Sequence, residues 1–295
     1  MAIVSKCPSC NSGNWVDYLT CKDFTVSHET FSLKKCKSCN LIVTSPRPED
    51  DRLSEYYQSD EYISHSSKAS TLIDRIYLIA RSYTLKWKLG IIDKYKLPKK
   101  TILDFGCGTG DFLKTCRDAG WTVEGIEPSP IAREKAIEKT GAPILNGFSI
   151  DHSKRFGTIT LWHVLEHVPD PNSLISNLSL SLEDDGTVFI AVPNHESFDA
   201  LYYKEYWAGY DVPRHLWHFS KENMNKLLSN NRLQIKEIIP MKLDAYYVSM
   251  LSEKYKNNSK TNLISLLRAI FKGLRSNHKG NKTGEYSSLI YVAKK

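Results

Sequence analysis

Two short segments of the sequence place histidines where a proton could be transferred. In the first, Trp-His-Val-Leu-Glu-His, His163 and His167 flank Glu166 directly after a predicted strand. In the second, Asp-Val-Pro-Arg-His-Leu-Trp-His-Phe-Ser, His215 lies in a loop rich in aromatic residues. Imidazole changes its charge near neutral pH, so each of the three could accept a proton from a hydroxyl group. A structural role is the alternative for each, since Glu166 and His167 could cap a helix start and pair with each other.

A glycine-rich loop follows an acidic residue in the segment Ile-Leu-Asp-Phe-Gly-Cys-Gly-Thr-Gly. The apolar residues predict a strand that ends near Asp104, and the loop contains Gly106, Gly108 and Gly110. Glycine accepts a positive φ and lacks a Cβ atom, so such a loop can lie against a ligand. The carboxyl ends of strands in an open α/β sheet form the ligand crevice, which places Asp104 in a binding site.

The glycine spacing distinguishes between two kinds of cofactor. Dinucleotide-binding folds use Gly-x-Gly-x-x-Gly and direct a helix N-terminus at a pyrophosphate. Here the spacing is Gly-x-Gly-x-Gly, and the next residue, Asp111, would repel a phosphate at the start of the predicted helix. Glu127 ends the following predicted strand, where a carboxylate can accept hydrogen bonds from both hydroxyls of a ribose. The pattern therefore predicts a nucleoside ligand without a phosphate.

The two acids and the glycine loop resemble the class I S-adenosylmethionine-dependent methyltransferases over residues 100–240. The two histidine segments resemble a subset of small-molecule methyltransferases that also carries an N-terminal Cys-x-x-Cys zinc module. The resemblance implies that Asp104 binds the methionine amino group and that Glu127 binds the ribose. It also implies that His167 or His215 faces the acceptor. The chain departs from the family pattern at Gly157, where an acid usually precedes the fourth strand.

The resemblance also implies a set of cofactor-binding residues around the glycine loop and the first histidine segment. The set is Asp104, Phe105, Gly106, Cys107, Gly108, Gly110, Phe112, Glu127, Pro128, Phe148, Trp162 and His163. Within it, Trp162 and His163 would line the sulfonium pocket and Phe148 would contact the adenine. S-adenosylmethionine is the expected methyl donor, and His163, His167 and His215 are the expected catalytic residues.

Four of the seven cysteines form two Cys-x-x-Cys pairs near the N-terminus. They are Cys7, Cys10, Cys36 and Cys39, and twenty-five residues separate the pairs. Thiolates at this spacing can converge on one tetrahedral Zn²⁺ with no open position, which makes the predicted zinc structural. The alternative is a pair of redox-active or incidental cysteines.

The alternation of predicted strands and helices indicates an α/β fold with a doubly wound, mostly parallel, seven-stranded sheet. We expect a zinc-ribbon-like module over residues 1–45, a linker with N-terminal helices over 46–98, and the methyltransferase domain over 99–295. The predicted strands are Thr101–Phe105, Thr122–Ile126, Pro143–Leu145, Thr158–Trp162, Thr187–Val192, Leu233–Ile239 and Ser287–Ala293. The last two form an antiparallel pair in the family, and a basic helical insertion over about 242–282 would lie between them.

The basic charge of the chain is concentrated in this insertion. Residues 242–282 contain nine Lys or Arg and two acids, so the segment carries the whole net charge of +7. A basic amphipathic helix can lie on an anionic membrane or contact a phosphate-bearing substrate. An ordinary docking face with a solvated back is the alternative. No apolar run is long enough to cross a bilayer and no signal peptide is visible, so we expect a cytoplasmic protein.

These features predict methyl transfer from S-adenosylmethionine to a small-molecule acceptor, through a hydroxyl of a sugar, a quinone or a lipid-like metabolite. A nucleic-acid methyltransferase that uses the zinc module and the basic segment is the alternative. Its base-holding signature of Asn or Asp, two prolines and an aromatic residue is absent from Val192-Pro193-Asn194, which makes a nucleic-acid partner unexpected. A nicotinamide-dependent oxidoreductase and a non-catalytic cofactor-binding protein are further alternatives.

Overall fold

The computed structural model describes residues 1–57, 72–95, 99–147, 150, 153–257 and 262–295, with only the backbone of residues 72–79. The strands are β1 (Trp15–Lys22), β2 (Thr30–Cys36), β3 (Ile42–Thr44), β4 (Thr101–Phe105), β5 (Thr122–Ile126), β6 (Ile144–Leu145), β7 (Phe156–Trp162), β8 (Leu182–Pro193), β9 (Trp217–His218), β10 (Gln234–Pro240) and β11 (Ser288–Lys294). The α-helices are α1 (Leu72–Asp93), α2 (Asp111–Asp118), α3 (Pro130–Thr140), α4 (Pro171–Ser181), α5 (Phe198–Tyr203), α6 (Lys221–Asn230), α7 (Asp244–Lys256) and α8 (Leu263–Thr283).

Seven strands form one sheet in the order β10-β11-β8-β7-β4-β5-β6. The five strands from β8 to β6 are parallel, whereas β11 runs antiparallel to both β8 and β10. Each strand overlaps a segment that the sequence predicts, including the late antiparallel pair. The expected α/β fold with a mostly parallel sheet is confirmed.

Apolar side chains cover both faces of this sheet. On β8, Val188, Ile190 and Val192 belong to the core that packs against α4 and α6, while Phe189 and Ala191 belong to the core under α1, α2 and α3. Successive residues of a strand point to opposite faces, so a strand buried on both sides is apolar throughout. The helices therefore lie on both faces, as in doubly wound sheets, and the carboxyl ends of β4, β5 and β7 meet at one edge.

The second sheet joins the N-terminal strands to the second histidine segment. Its order is β1-β2-β3-β9, with Ile42 of β3 paired to His218 of β9. Beside this pair, the Thr44 hydroxyl donates a hydrogen bond of 2.7 Å to the main-chain carbonyl of His215. The sheet is therefore completed by a strand more than 170 residues away, and the first 45 residues do not form it alone.

A close backbone contact explains the glycine at position 157. The Gly157 amide donates a hydrogen bond of 2.9 Å to the Thr101 hydroxyl. A Cβ atom on Gly157 would lie 2.7 Å from the carbonyl oxygen of Lys99. Since backbone cannot move aside as a flexible side chain can, the acid that the family usually has here would not fit.

Helices α7 and α8 connect β10 to β11 and contain most of the basic segment. The Asn262 side chain caps the start of α8 by accepting a hydrogen bond from the Ser265 amide, and the helix ends at Gly284 with φ 78°. Left-handed φ at a helix end favours glycine, which fixes where α8 stops. Across the described ranges, no helix combines the length and apolar character needed to cross a membrane.

Candidate active site

The three loop glycines are required for different reasons. All have positive φ, at 75° for Gly106, 54° for Gly108 and 76° for Gly110. A Cβ atom on Gly106 would lie 2.5 Å from a methyl carbon of Val164, and one on Gly110 would lie 3.0 Å from the Cα atom of Ala136. A Cβ atom on Gly108 would meet no heavy atom within 4 Å. Gly108 therefore borders open space, while the other two allow neighbouring segments to pack closely.

Glu127 links the end of β5 to the glycine loop. Its side chain is buried, and its two oxygens accept hydrogen bonds from the Gly108 amide at 2.8 Å and the Ser129 amide at 2.9 Å. A carboxylate offers about four lone-pair sites, so acceptor capacity remains for a ligand. The carboxylate lies beside the open space at Gly108, which fits a ribose whose hydroxyls donate to it.

Asp104 is a buried acid at the end of β4. Its carboxylate accepts a hydrogen bond of 2.6 Å from the Thr160 hydroxyl on β7, its register partner in the sheet. Burial raises the pKa of Asp104 to about 7, against the opposing effects of the Thr160 hydrogen bond and the positive charge of Lys88. A cation bound next to Asp104 would lower this pKa again, so the site favours a positively charged ligand group.

Lys88 on α1 places a positive charge inside the same site. Its Nζ atom lies 4.3 Å from the ring centroid of Trp162, and the Trp162 ring packs edge-on against Phe112 with centroids 5.3 Å apart. Burial lowers the pKa of Lys88 to about 8, although Asp244 and Asp104 favour its charged form. The indole nitrogen of Trp162 is buried and has no hydrogen-bond partner among the described residues. Trp162 and Phe112 thus form an aromatic wall of the site. Lys88 adds a positive charge to this wall, and the Trp162 indole N–H is a hydrogen-bond donor without a partner among the described residues.

His163 lies between two carboxylates. Its Nε2 atom is 3.1 Å from Asp244 and its Nδ1 atom is 3.4 Å from Glu166. Burial opposes the charged form, but the two acids prevail and raise the pKa of His163 to about 9. The residue also has a left-handed φ of 58°, which is uncommon for a non-glycine residue. At neutral pH His163 is therefore an imidazolium that forms ion pairs with both Asp244 and Glu166.

His167 and His215 lie together near Glu166. Their rings are 4.6 Å apart and nearly perpendicular. The His167 Nδ1 atom is 3.1 Å from the carbonyl oxygen of Arg214 and 2.9 Å from the Tyr57 hydroxyl. The His215 Nδ1 atom donates to the carbonyl oxygen of Gly209 at 2.9 Å. Burial lowers the pKa of His167 to about 4, so this ring is neutral at pH 7.

The loop that carries His215 is anchored by Arg214. The guanidinium contacts both oxygens of Asp211, at 2.6 and 3.0 Å, and also donates to Asp23 at 3.0 Å and to the carbonyl oxygen of Tyr56 at 3.0 Å. Arg214 and Asp23 are almost completely buried. Their charges hold the loop against the N-terminal sheet, because separating them would leave a buried charge without a partner.

The four predicted zinc ligands converge. Cys7 Sγ lies 3.4 Å from Cys39 Sγ, Cys10 Sγ lies 3.6 Å from Cys36 Sγ, and all four sulfur atoms are within 4.8 Å of one another. Sulfurs around a tetrahedral Zn²⁺ are separated by about 3.8 Å, from Zn–S bonds of about 2.3 Å. The donor set and its spacing fit zinc. None of the seven cysteines forms a disulfide.

The start of α2 differs from the electrostatic expectation. Asp111 forms ion pairs with Lys139 at 2.7 Å and with Arg81 at 2.5 Å. Burial alone would raise its pKa, but the Lys139 hydrogen bond and the Arg81 charge lower it overall. Its charge is therefore compensated, and repulsion by Asp111 is not the feature that excludes a phosphate at this helix.

The other predicted cofactor residues have different surroundings. Phe105 lies in the core on the α4 and α6 side, so only its main chain borders the loop. The Cys107 thiol packs against Gly125 of β5. A Cβ atom added to Gly125 would lie only 2.8 Å from the Cys107 sulfur. Pro128 is exposed, and Phe148 lies outside the described residues. Like the other cofactor assignments, these four positions stay predictions.

Comparison with known proteins gives the family of the chain. A family model described as "Methyltransferase domain" matches residues 78–237, more than half of the sequence. The chain belongs to the class I S-adenosylmethionine-dependent methyltransferases. The match includes α1 with Lys88, the glycine loop, Glu127 and both histidine segments, so the family assignment covers the site described above.

Curated relatives of this methyltransferase include two ubiquinone biosynthesis O-methyltransferases. That of Actinobacillus pleuropneumoniae serotype 5b (strain L20) is 36% identical over an alignment of 115 residues, and the match covers 32% of this chain and 46% of the relative. That of Yersinia enterocolitica serotype O:8 is 30% identical over an alignment of 135 residues, and the match covers 42% of this chain and 53% of the relative. The methyltransferase spans about half the length of the curated relatives it matches.

Solved structures support the fold of the methyltransferase. Magnesium protoporphyrin IX methyltransferase from Synechocystis PCC 6803, determined with bound SAH, superposes with a TM-score of 0.50. The two chains are 14% identical, and the match covers 82% of this chain and 92% of the other. At this level of identity, the similarity shows the shared fold.

Four residues of the methyltransferase site are not predicted by the sequence. Lys88 and Asp244 bracket the wall that contains Trp162 and His163, while Asp23 and Arg214 fix the His215 loop. Lys88 follows the apolar residue Trp87 on an amphipathic helix, a position where a lysine usually faces solvent. The other three depend on contacts between segments far apart in sequence, for which the chain carries no local signal.

Proposed function

We propose that this methyltransferase transfers a methyl group from S-adenosylmethionine to a hydroxyl of a small-molecule acceptor. S-adenosylmethionine supplies an electrophilic methyl group on a sulfonium. The observation that carries the proposal is the pair of neighbouring imidazoles, His167 and His215, next to the edge of the sheet where Asp104 and Glu127 lie. Hydroxyl methylation requires loss of a proton, and imidazole side chains suit this step. The curated relatives are named O-methyltransferases, which supports a hydroxyl acceptor.

The donor fits the residues around the glycine loop. Glu127 would accept hydrogen bonds from the ribose hydroxyls, beside the open space at Gly108. Asp104 would receive the methionine ammonium, which explains why a buried acid with a raised pKa lies there. Lys88 would pair with the methionine carboxylate, and this contact would raise its lowered pKa. The nicotinamide-dependent alternative loses its support because the family assignment covers this loop.

The histidines have different roles in this proposal. His163 is charged at neutral pH and is held by Asp244 and Glu166, so it has no free lone pair with which to accept a proton. It suits a positioning role that fixes Trp162 and Glu166. His215 and His167 both direct Nδ1 at a backbone carbonyl, and a proton on Nδ1 would leave Nε2 as the free acceptor of each ring.

We also propose that Cys7, Cys10, Cys36 and Cys39 bind one structural Zn²⁺. The four sulfurs form a closed set, so the metal would hold two turns together and take no part in methyl transfer. The Asn223 side chain on α6 donates to the carbonyl oxygen of Cys39 at 2.5 Å, and this bond ties the cysteine cluster to the large domain.

A third proposal concerns membrane binding by helix α8, which would bring the enzyme to a lipid-like acceptor. Helix α8 exposes a row of large apolar side chains, including Leu263 at 71%, Leu267 at 58%, Phe271 at 58% and Leu274 at 53%. Monomeric proteins rarely leave such a patch uncovered. The helix carries five Lys or Arg residues and no acid. We infer that α8 binds the surface of an anionic membrane, because its charge is complementary to that surface.

Two measurements test the proposed reaction. Calorimetry with S-adenosylhomocysteine tests the donor site, and a labelled methyl donor tests hydroxyl-bearing sugars, quinols and lipid-like phenols as acceptors. We expect saturable binding, and label in an ether product. Binding without label in any hydroxyl acceptor would contradict the acceptor class. Label in mixed oligonucleotides, with affinity that falls steeply as salt rises, would favour a nucleic-acid substrate instead.

A further inference from the structure

The carboxylate of Glu166 is buried without a matching donor. Its side chain is fully buried, and neither oxygen has a hydrogen-bond partner among the described residues. The nearest charged group is the His163 Nδ1 atom at 3.4 Å, and that imidazolium is shared with Asp244. Burying a carboxylate is unfavourable unless it is well paired or coordinates a metal. Within the described residues, Glu166 therefore has one imidazolium that it shares with Asp244 and no hydrogen bond.

Two imidazoles lie next to this carboxylate. One ligand atom from each of Glu166, His167 and His215 can be chosen so that all three lie within 4.8 Å of one another. Glu166 is on the short helical turn after β7, together with His167, whereas His215 comes from the loop that Arg214 anchors. Two separate segments of the chain thus bring three metal-ligating side chains to one point.

The outer contacts of both histidines suit metal binding. His167 Nδ1 is 3.1 Å from the carbonyl oxygen of Arg214, and His215 Nδ1 donates to the carbonyl oxygen of Gly209. A histidine that binds a metal almost always donates its other ring nitrogen to a carbonyl or a carboxylate, which fixes the tautomer. The same arrangement leaves the Nε2 lone pair of each ring available.

We propose that Glu166, His167 and His215 bind a divalent transition-metal ion. Two imidazoles and one carboxylate suit Zn²⁺, Fe²⁺, Co²⁺ or Mn²⁺, with bonds of about 2.0–2.2 Å for zinc, so a small side-chain movement would close the site. Three protein ligands leave a position open, unlike the four-cysteine cluster. Asp211 lies 4.0 Å from His215 Nε2, but its oxygens are bound by Arg214.

The role of this ion rests on the proposed hydroxyl methylation. The acceptor oxygen would take the open position, where a metal would lower the pKa of the hydroxyl so that its proton could leave to solvent. The acceptor oxygen would form its bond to the methyl carbon as the bond from carbon to sulfur breaks. The sulfonium becomes a neutral thioether. Under this arrangement His167 and His215 act as ligands instead of proton acceptors.

Titration with Co²⁺ tests the site in the full-length protein with its cysteine cluster loaded with zinc. Co²⁺ bound by nitrogen and oxygen gives weak visible bands, whereas thiolate ligands add strong near-ultraviolet charge transfer, so the spectrum distinguishes the two sites. We expect one equivalent of Co²⁺ with visible bands and no thiolate charge transfer. An unchanged spectrum, or one with thiolate charge transfer only, would overturn the proposal.

Substitutions assign the bands to residues. Glu166→Gln and His215→Ala should each weaken Co²⁺ binding at least about tenfold, while Glu196→Gln and His278→Ala, on other parts of the surface, should leave it unchanged. Equal binding in all four variants would place the ion elsewhere. S-adenosylhomocysteine binding, measured on the same samples, reports folding of each variant. If the wild type failed to bind S-adenosylhomocysteine, the proposed donor site would be contradicted. If it bound S-adenosylhomocysteine but showed no Co²⁺ bands, only the metal site would be contradicted.

Discussion

The Arg214 guanidinium donates a hydrogen bond of 3.0 Å to Asp23, although 191 positions separate the two residues in the sequence. Both side chains are almost fully buried, and Asp23 also accepts from the Ser27 amide at 2.8 Å. Burial would raise the pKa of Asp23, but the Arg214 hydrogen bond and charge lower it well below its usual range. An acid on the N-terminal sheet thereby sets the position of the loop that holds His215.

Replacing Asp23 should therefore affect the distant loop. We expect Asp23→Asn to lower the free energy of unfolding by about 3–5 kcal/mol, since it leaves the Arg214 charge buried with fewer partners. Methyl transfer should fall more than S-adenosylhomocysteine affinity. Chemical denaturation and calorimetry measure the two effects. Asp17→Asn, at an exposed residue of β1, is the control and should change neither; equal stability of both variants would contradict the anchoring role.

Glu127→Ala should weaken S-adenosylhomocysteine binding at least about tenfold, which corresponds to about 1.4 kcal/mol. The substitution removes the carboxylate that we assign to the ribose and leaves the Gly108 amide without its partner. Isothermal calorimetry gives the affinity. Glu124→Ala, on the same strand but paired with Lys154, should bind normally. Unaltered affinity of the Glu127 variant would remove the ribose assignment.

The protonation of His163 predicts how stability depends on pH. The folded pKa of about 9 is above the unfolded value of about 6.5. Its contribution to stability is therefore complete below pH 6.5 and is lost as the pH rises through 9. Denaturation at several pH values should show this decline in the wild type and a smaller one in His163→Gln. An NMR titration that found His163 neutral at pH 7 would contradict the ion-pair description.

Binding of α8 to lipid should depend on both apolar and basic residues. Phe271→Asp and Lys272→Glu should each reduce flotation with vesicles that contain anionic phosphatidylglycerol. Ile131→Asp and Lys135→Glu make the same changes in charge on α3, where Ile131 is 62% exposed, and should have no effect. Flotation of the wild type that is equal with neutral and anionic vesicles, or absent from both, would reject the membrane proposal.

Zinc should be needed for stability and not for the chemical step itself. We expect one zinc per chain at the cysteine cluster by atomic emission, and its loss in Cys36→Ser. The melting temperature should fall because the two cysteine turns lose their common partner. Cys21→Ser, at a buried cysteine outside the cluster, should retain the metal. Full zinc content in the Cys36 variant would contradict the assigned ligands.

Local sequence patterns predict much of the fold and part of the site. The strand that ends at Asp104, the glycine loop and the acid Glu127 each occupy a continuous segment, so apolar periodicity and turn residues are sufficient to place them. The four cysteines are recognisable from spacing alone. These features depend on short-range geometry, which the order of residues determines directly.

The remaining parts depend on contacts that only the folded chain creates. The pairing of β9 with β3 has no signal in either segment, because each is only two or three residues long. Lys88 looks like a solvent-facing lysine until α1 packs over Trp162. The repulsion expected from Asp111 is cancelled by Arg81 and Lys139, which come from two other helices. Long-range electrostatics could not be inferred from the residue at position 111 by itself.

The pairing between β3 and β9 has a consequence for protein engineering. A chimera that exchanges only the cysteine-rich segment with that of another methyltransferase would leave β9 without its neighbour and Arg214 without Asp23. A stable chimera would require the two regions to be transplanted as one block. The same dependence implies that a substitution at Asp23 or on β3 would need a matching change in the His215 loop.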